Sequence, residues 1–332
     1  MKRKLIKQGY NTMTITLPIE WIKKLNLKKR EEVDVIDEGD SLIISGKQKN
    51  EEKSATLDIS NFIVPMLWKF FQSIYRKGYN EVKIIFEPSK KTYPNIYQYF
   101  SPLLGDKVFG KKHPSKPAIE TIQDLVNRFI GMEIIETGKN YCIVKDMTEP
   151  TTKEYNNAFR RIFMLISGMF ERTLSAIEKD EIGDTEICEE IHALDTNIDR
   201  FIDYCCRMLN KVNNSAPQSK KPAIFSTLFI LELLSDEFKD IADHLAITHK
   251  KVKILFPLAE KVREHFNFYE KTFFKFEGDL AMQFGKNSLS ILDEHLRLNK
   301  KIKGENKSIT RHLMQISKYL LSLIELRIEM EY

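Results

Sequence analysis

The sequence is short of the features that mark several large functional classes. No segment approaches the roughly 18 unbroken apolar residues of a membrane span, and Met1 to Lys7 is charged and strand-like where a secretory leader would be apolar. A cytoplasmic protein without membrane insertion is expected. Four cysteines, Cys142, Cys188, Cys205 and Cys206, form no CxxC pair, and the adjacent Cys205 and Cys206 point to different sides of a helix. This argues against disulfides and a thiolate zinc site, and for buried free thiols. No Ser, Cys or His stands in a recognisable nucleophile motif. Only Glu189 with His192 has the ExxH spacing that a carboxylate-bridged di-metal enzyme uses twice. "GDKVFGKK", Gly105 to Lys112, nearly spells a phosphate-cradling loop, but Lys112 stands where Ser or Thr should hold magnesium. Catalysis is not expected.

What is present fits a globular chain of 332 residues with 42% hydrophobic and 30% charged residues, long enough for two or three domains. The net charge of +5 is small but unevenly spread. Residues 1–30 hold nine Lys or Arg against one Glu, while residues 31–46 hold six Asp or Glu and no Lys or Arg. The basic end is a candidate for anionic partners.

In the first fifty residues, "RKLIKQGYNTMTITLP" reads as two short strands around a turn, with Met13, Ile15 and Leu17 alternating against threonines. Pro18 fits the first turn of a short helix whose stripe is Ile19, Ile22 and Leu25. "EEVDVIDEGDSLIIS" follows as a hairpin, with Val33 and Val35 inward and its turn at Glu38 and Gly39. So few residues cannot bury an adequate core alone, so a dimer is implied. In the basic first strand, in "TITLPIEW" (Thr14 to Trp21) and in "LKKREEVDV", about 45 residues resemble the SpoVT/AbrB (MazE-like) swapped-hairpin family. That resemblance implies an interlocked two-chain β-barrel that binds DNA. Where the family often has Gly in the turn after the helix, this chain has Arg30. For DNA contacts the residues are Arg3, Lys4, Lys7, Lys23 and Lys24, with Asn11 and Thr12 as polar turn contacts. A solvated basic face on a module used only for dimerisation or docking remains the other reading.

After a charged linker, "GKQKNEEKS", the middle of the chain reads as a small α+β unit. It has a helix over residues 60–78 with Ser60 as a possible N-cap, a strand at "EVKIIFE", a helix over 118–131 ending at Gly131, and a hairpin turning at Gly138 to Asn140.

From about residue 152 six helices are expected, with breaks near 180–184, 212–222, 256, 277–279 and 303–306. Ile187, Ile191, Leu194, Ile198, Phe201, Cys205 and Met208 mark one bundle seam, and Leu228, Leu231, Ser235, Phe238, Ala242 and Leu245 another. Asp195, Asp199 and Asp203 take the same three heptad positions relative to the first seam as Glu232, Asp236 and Asp240 take to the second. A short connection makes these helices antiparallel neighbours. Two acidic ridges then face one groove, and like charges so stacked repel unless a cation sits between them or the face is simply solvated. The pattern recurs weakly at Asp293, Glu325 and Glu329, with Arg297 in place of one acid.

"LDTNIDRF" and "LELLSDEFKDIADHLA" resemble the E/DxxxD motifs of PhoU, the phosphate-transport regulator, over about 180 residues. The resemblance implies tandem three-helix bundles with a surface metal cluster. Asp195, Asp199, Glu232, Asp236 and Asp240 are the residues carried over as ligands to a divalent or trivalent ion, with iron, zinc, magnesium and manganese all open. The layout as a whole looks like archaeal PhoU-related regulators. The expected fold is therefore multidomain α+β: a swapped-hairpin β-barrel half over 1–47, a small α+β connecting domain over 56–148, and a PhoU-like all-α domain over 152–332. The function implied is a homodimeric DNA-binding transcriptional regulator of phosphate uptake that senses state through its metal-binding helical half. The alternative is an accessory protein that docks on a phosphate-transporter ATPase or a signalling protein without binding DNA.

Overall fold

A computed structural model of the chain describes residues 2–37, 42–46, 53–62, 64–88, 116–148, 151–211 and 216–332. The turn expected at Glu38 and Gly39 and the stretch Gly105 to Lys112 lie outside the described residues. The chain divides into two compact units, Met1–Glu51 and Glu52–Tyr332.

In the first unit, β1 (Ile6–Lys7) pairs antiparallel with β2 (Met13–Thr14), and Gly9 supplies the positive φ of the intervening turn. Helix α1 (Ile19–Lys24) follows Pro18. Then β3 (Val33–Asp37) pairs antiparallel with β4 (Leu42–Gly46), in a register that sets Val33 opposite Gly46 and Val35 opposite Ile44. At Gly46 an added Cβ would lie 3.0 Å from Leu25 Cδ1 and 3.3 Å from Leu27 Cδ2, so the missing side chain lets those leucines close on β4. The expected inward stripes are only half covered. Leu5, Ile6, Met13, Ile15, Ile19, Leu25, Val35 and Leu42 are all exposed in the single chain, and α1 buries no residue.

The second unit opens with a four-stranded sheet of order β5-β6-β8-β7, made of β5 (Ser54–Asp58), β6 (Glu81–Ile85), β7 (Met132–Thr137) and β8 (Tyr141–Asp146). β5 and β6 run parallel, joined by α2 (Val64–Arg76), and the other pairings are antiparallel. Val82, Ile84, Cys142 and Val144 alternate onto one face, where α2 and α3 (Ala118–Val126) cover them with Leu67, Phe71, Ile122 and Leu125. Ser60 does not cap α2. Its amide and hydroxyl donate to Asp58 Oδ1 in a turn at the end of β5, and the helix starts at Val64, with Pro65 in its first turn, where a missing N–H is tolerated. α3 also stops short of Gly131, whose φ of +86° shapes the entry to β7.

Six long helices follow: α4 (Thr152–Lys179), α5 (Glu186–Lys211), α6 (Lys221–Ile247), α7 (Phe256–Phe274), α8 (Gly278–Asn299) and α9 (Glu305–Glu329). α4 begins with a capping box, in which Thr151 Oγ1 accepts from Glu154 N and Glu154 Oε2 accepts from Thr151 N. It ends at Asp180 in the left-handed conformation, whose carboxylate accepts from the amides of Val252 and Lys253. α4, α5 and α6 pack on one another, as do α7, α8 and α9, and α6 against α9 and α4 against α7 join the two sets around a continuous apolar core. α2 of the sheet layer lies on α5, so the sheet layer and the helices, expected as separate domains, form one compact unit.

Candidate functional site

The acids of α5 and α6 do face a common trough. Asp195, Asp199 and Asp203 descend one side of α5, and Glu232 and Asp236 descend the adjoining side of α6. Asp195 and Asp203 are almost fully buried. The trough is filled, and by the chain's own cations. Lys239 sits on α6 with its Nζ 2.7 Å from Asp195 Oδ2 and 2.6 Å from Asp236 Oδ1, and Ser235 Oγ donates to Asp195 Oδ1 at 3.0 Å. The sheet layer supplies the rest. From α2, Arg76 Nε donates to Asp203 Oδ1 and its Nη2 donates to Glu232 Oε2 at 3.0 Å, while Gln72 Nε2 donates to Asp203 Oδ1 at 3.0 Å. Past the end of α3, Arg128 lies 3.6 Å over the Trp68 ring and reaches Asp199 Oδ2 at 3.3 Å.

The electrostatics follow from that packing. Burial, with the charges of Asp195 and Glu232 added, pushes the Asp199 carboxyl well above the ordinary range. Burial lifts Asp203 as well, to about 6, with Arg76 pulling the other way. Burial opposes the charge on Lys239, yet Asp195 and Asp236 hold its ammonium above the ordinary value. A metal ion needs carboxylate oxygens turned to one point with their lone pairs free. Here one or both oxygens of each acid are served by Lys239, Arg76, Arg128, Gln72 and Ser235, so in this arrangement the trough is neutralised by the chain's own cations.

Asp240 leaves the set. Two turns beyond Glu232, Asp240 stands beside α9. Asp240 Oδ2 lies 3.8 Å from His312 Nδ1 of α9, and Glu237 Oε2 lies 2.7 Å from the same nitrogen. Of the weaker acidic set on α8 and α9, Asp293, Glu325 and Glu329 take no part in either cluster, and Arg297 pairs instead with Glu294.

A second ionic centre joins the same layers. Arg207 is 1% exposed, on α5. It donates to Tyr75 O at 2.7 Å, to Tyr79 O at 2.8 Å and to Asp146 Oδ2 at 2.6 Å, and Lys211 Nζ donates to the same oxygen. Against the push of burial, hydrogen bonds from Lys211 and Arg207 hold the Asp146 carboxyl down at about 2. Sequence reading missed Arg76, Arg128, Arg207, Lys239 and Asp146. One signal was available: Arg207 is a lone charge inside the apolar run "YCCRML" on a seam helix.

In the first unit, Arg3, Lys4, Lys7, Lys23 and Lys24 are exposed, as are Asn11 and Thr12 at the β1–β2 turn. Lys23 and Lys24 form the last turn of α1. Thr12 O accepts from Gln8 N at 2.8 Å, which closes that turn. All four cysteines are free and buried. Among the described residues no helix is long and apolar enough to cross a membrane. Residues 6–52 match the family model described as antidote-toxin recognition MazE, bacterial antitoxin. Comparison with curated proteins and with solved structures gives no match.

Proposed function

We propose that the chain is a DNA-binding regulator that works as a homodimer through its first fifty residues. One observation carries this reading: among its described residues the first unit leaves Leu5, Ile6, Met13, Ile15, Ile19, Leu25, Val35 and Leu42 exposed, beside nine Lys or Arg in residues 1–30. A second copy covers such apolar faces, and two copies together double a basic surface suited to phosphates. The match of residues 6–52 to the MazE family model supports the same assignment.

The regulated process in this reading is phosphate uptake, on the resemblance of "LDTNIDRF" and "LELLSDEFKDIADHLA" to PhoU motifs, with the helical half as the sensory part. The sheet layer and the helices share Arg76, Arg128 and Arg207 contacts, which supplies a physical link through which a change in the bundle reaches the rest of the second unit. A second reading, protein recognition by the same N-terminal module, draws on the family description of toxin recognition and on the exposed apolar side chains.

Duplex affinity measured against salt separates the two. DNA binding is expected to weaken steeply as salt rises, by about 0.9 in log–log slope for each phosphate neutralised. Lys23→Glu with Lys24→Glu is expected to flatten that slope and to lower affinity uniformly across sequences. An unchanged slope and affinity in the double variant would overturn the DNA reading.

A further inference from the structure

The second acidic face of α6 is served differently from the first. Glu237 and Asp240 lie one turn apart on α6, and His312 stands opposite on α9. One potential ligand atom from each of the three falls within 4.8 Å of the others. Beside them the His244 ring centroid is 5.4 Å from that of His312, and His244 Nδ1 is 2.7 Å from Glu305 Oε2. In the trough each of the five acids meets a lysine or arginine. Here, among the described residues, the ion-pair partners of Glu237, Asp240 and Glu305 are imidazoles only.

We propose that Glu237, Asp240 and His312 bind a divalent first-row transition-metal ion. Two carboxylates at an i, i+3 spacing on one helix and an imidazole from its neighbour form a mixed oxygen and nitrogen donor set of the kind that helix bundles build between facing helices. Glu237 and His312 are mostly buried, which fixes their rotamers, while Asp240 is half exposed and gives the ion an entry path and room for water ligands. His244, held by Glu305, stands next to the His312 ring as a neighbouring imidazole that orients it or completes the set. The site is distinct from the trough between α5 and α6, and it does not depend on whether the first unit binds DNA.

The test uses the full chain, stripped with a chelator and dialysed. Zn²⁺ is titrated by calorimetry, and Co²⁺ is added in parallel, with its visible absorption reporting the ligand field. One ion per chain is expected, with affinity falling at least about 10-fold in His312→Gln and in Asp240→Asn. Asp199→Asn, in the trough, is expected to bind as wild type does. Because Asp240 is half exposed, its variant decides the matter even if His312→Gln fails to fold. A wild type that binds no ion, or variants that bind with unchanged stoichiometry and affinity, would overturn the proposal.

Discussion

Every lysine and arginine among residues 2–30 is exposed, and so are most of the large apolar side chains of that unit. Between Glu52 and Tyr332 some charges are buried as well: Arg207 with Asp146 in one centre, and Asp195 and Asp203 in another. The first unit turns its basic side chains and much of its apolar surface outward. The second buries a subset of its acids and neutralises them from within. Acidic ridges alone therefore do not identify a ligand site. What distinguishes one ridge from another is whether permanent cations or imidazoles stand opposite it, and α6 carries one of each kind.

The largest expected effect tests the inward half of that contrast. Arg207→Met keeps the apolar stem but removes donors from Asp146 and from the carbonyls of Tyr75 and Tyr79. Breaking a buried pair in this way typically costs about 3–5 kcal/mol, and the lower end is expected because Lys211 still serves Asp146. Urea unfolding followed by helical circular dichroism reads the loss. A variant as stable as wild type would mean that the buried ions are incidental to how the sheet layer and helices hold together.

A subtler effect lies in pH. The Asp203 carboxyl is raised to about 6 in the folded chain from an ordinary value of 3.8, so folding favours its protonated form. That contribution is fully present below 3.8 and is lost as pH rises through about 6. Asp146 works with the opposite sign: its contribution is present above 3.8 and disappears as pH falls through about 2. Stability measured between pH 4 and pH 7 should therefore decline less in Asp203→Asn than in wild type. Parallel curves would show that Arg76 keeps Asp203 ionised throughout.

How much of this was legible in the sequence depends on the distance over which the deciding contacts run. The six helices and their seams were readable because the 3.6-residue period is local, and Ile187 to Met208 and Leu228 to Leu245 are buried or half-buried along those seams. The approach of Asp195, Asp199, Glu232 and Asp236 was legible too, since matching heptad positions on antiparallel neighbours can line one groove. Their partners were not. Arg76 is 127 residues from Asp203, and Arg128 is 71 from Asp199, so nothing in the local pattern separates them from ordinary surface arginines. Asp240 shares the heptad position of Asp203 but stands against His312 of α9, a neighbour that heptad position does not specify. In the first fifty residues the strands are legible, but the alternation does not tell whether the apolar face is covered, and Val35 and Leu42 are exposed.

The smallest effect compares two left-handed residues, one in each unit. Arg30 has φ of 72° and Asp180 has φ of 53°. A non-glycine residue held there gives up roughly 1–2 kcal/mol, and a glycine would avoid that cost while losing about 0.5–1 kcal/mol to the entropy of its unfolded chain. At Arg30 the balance favours glycine, so Arg30→Gly should stabilise the first unit by up to about 1 kcal/mol, read from Trp21 fluorescence in a Trp68→Phe background during urea unfolding. At Asp180 the sign should reverse. Its carboxylate accepts from Val252 N at 2.7 Å and Lys253 N at 2.8 Å, bonds that tie the end of α4 to the segment before α7, and Asp180→Gly surrenders both. If both glycines stabilised, the inward bonding of the second unit would count for nothing at that turn, and if neither did, the Arg30 conformation would carry no strain to relieve.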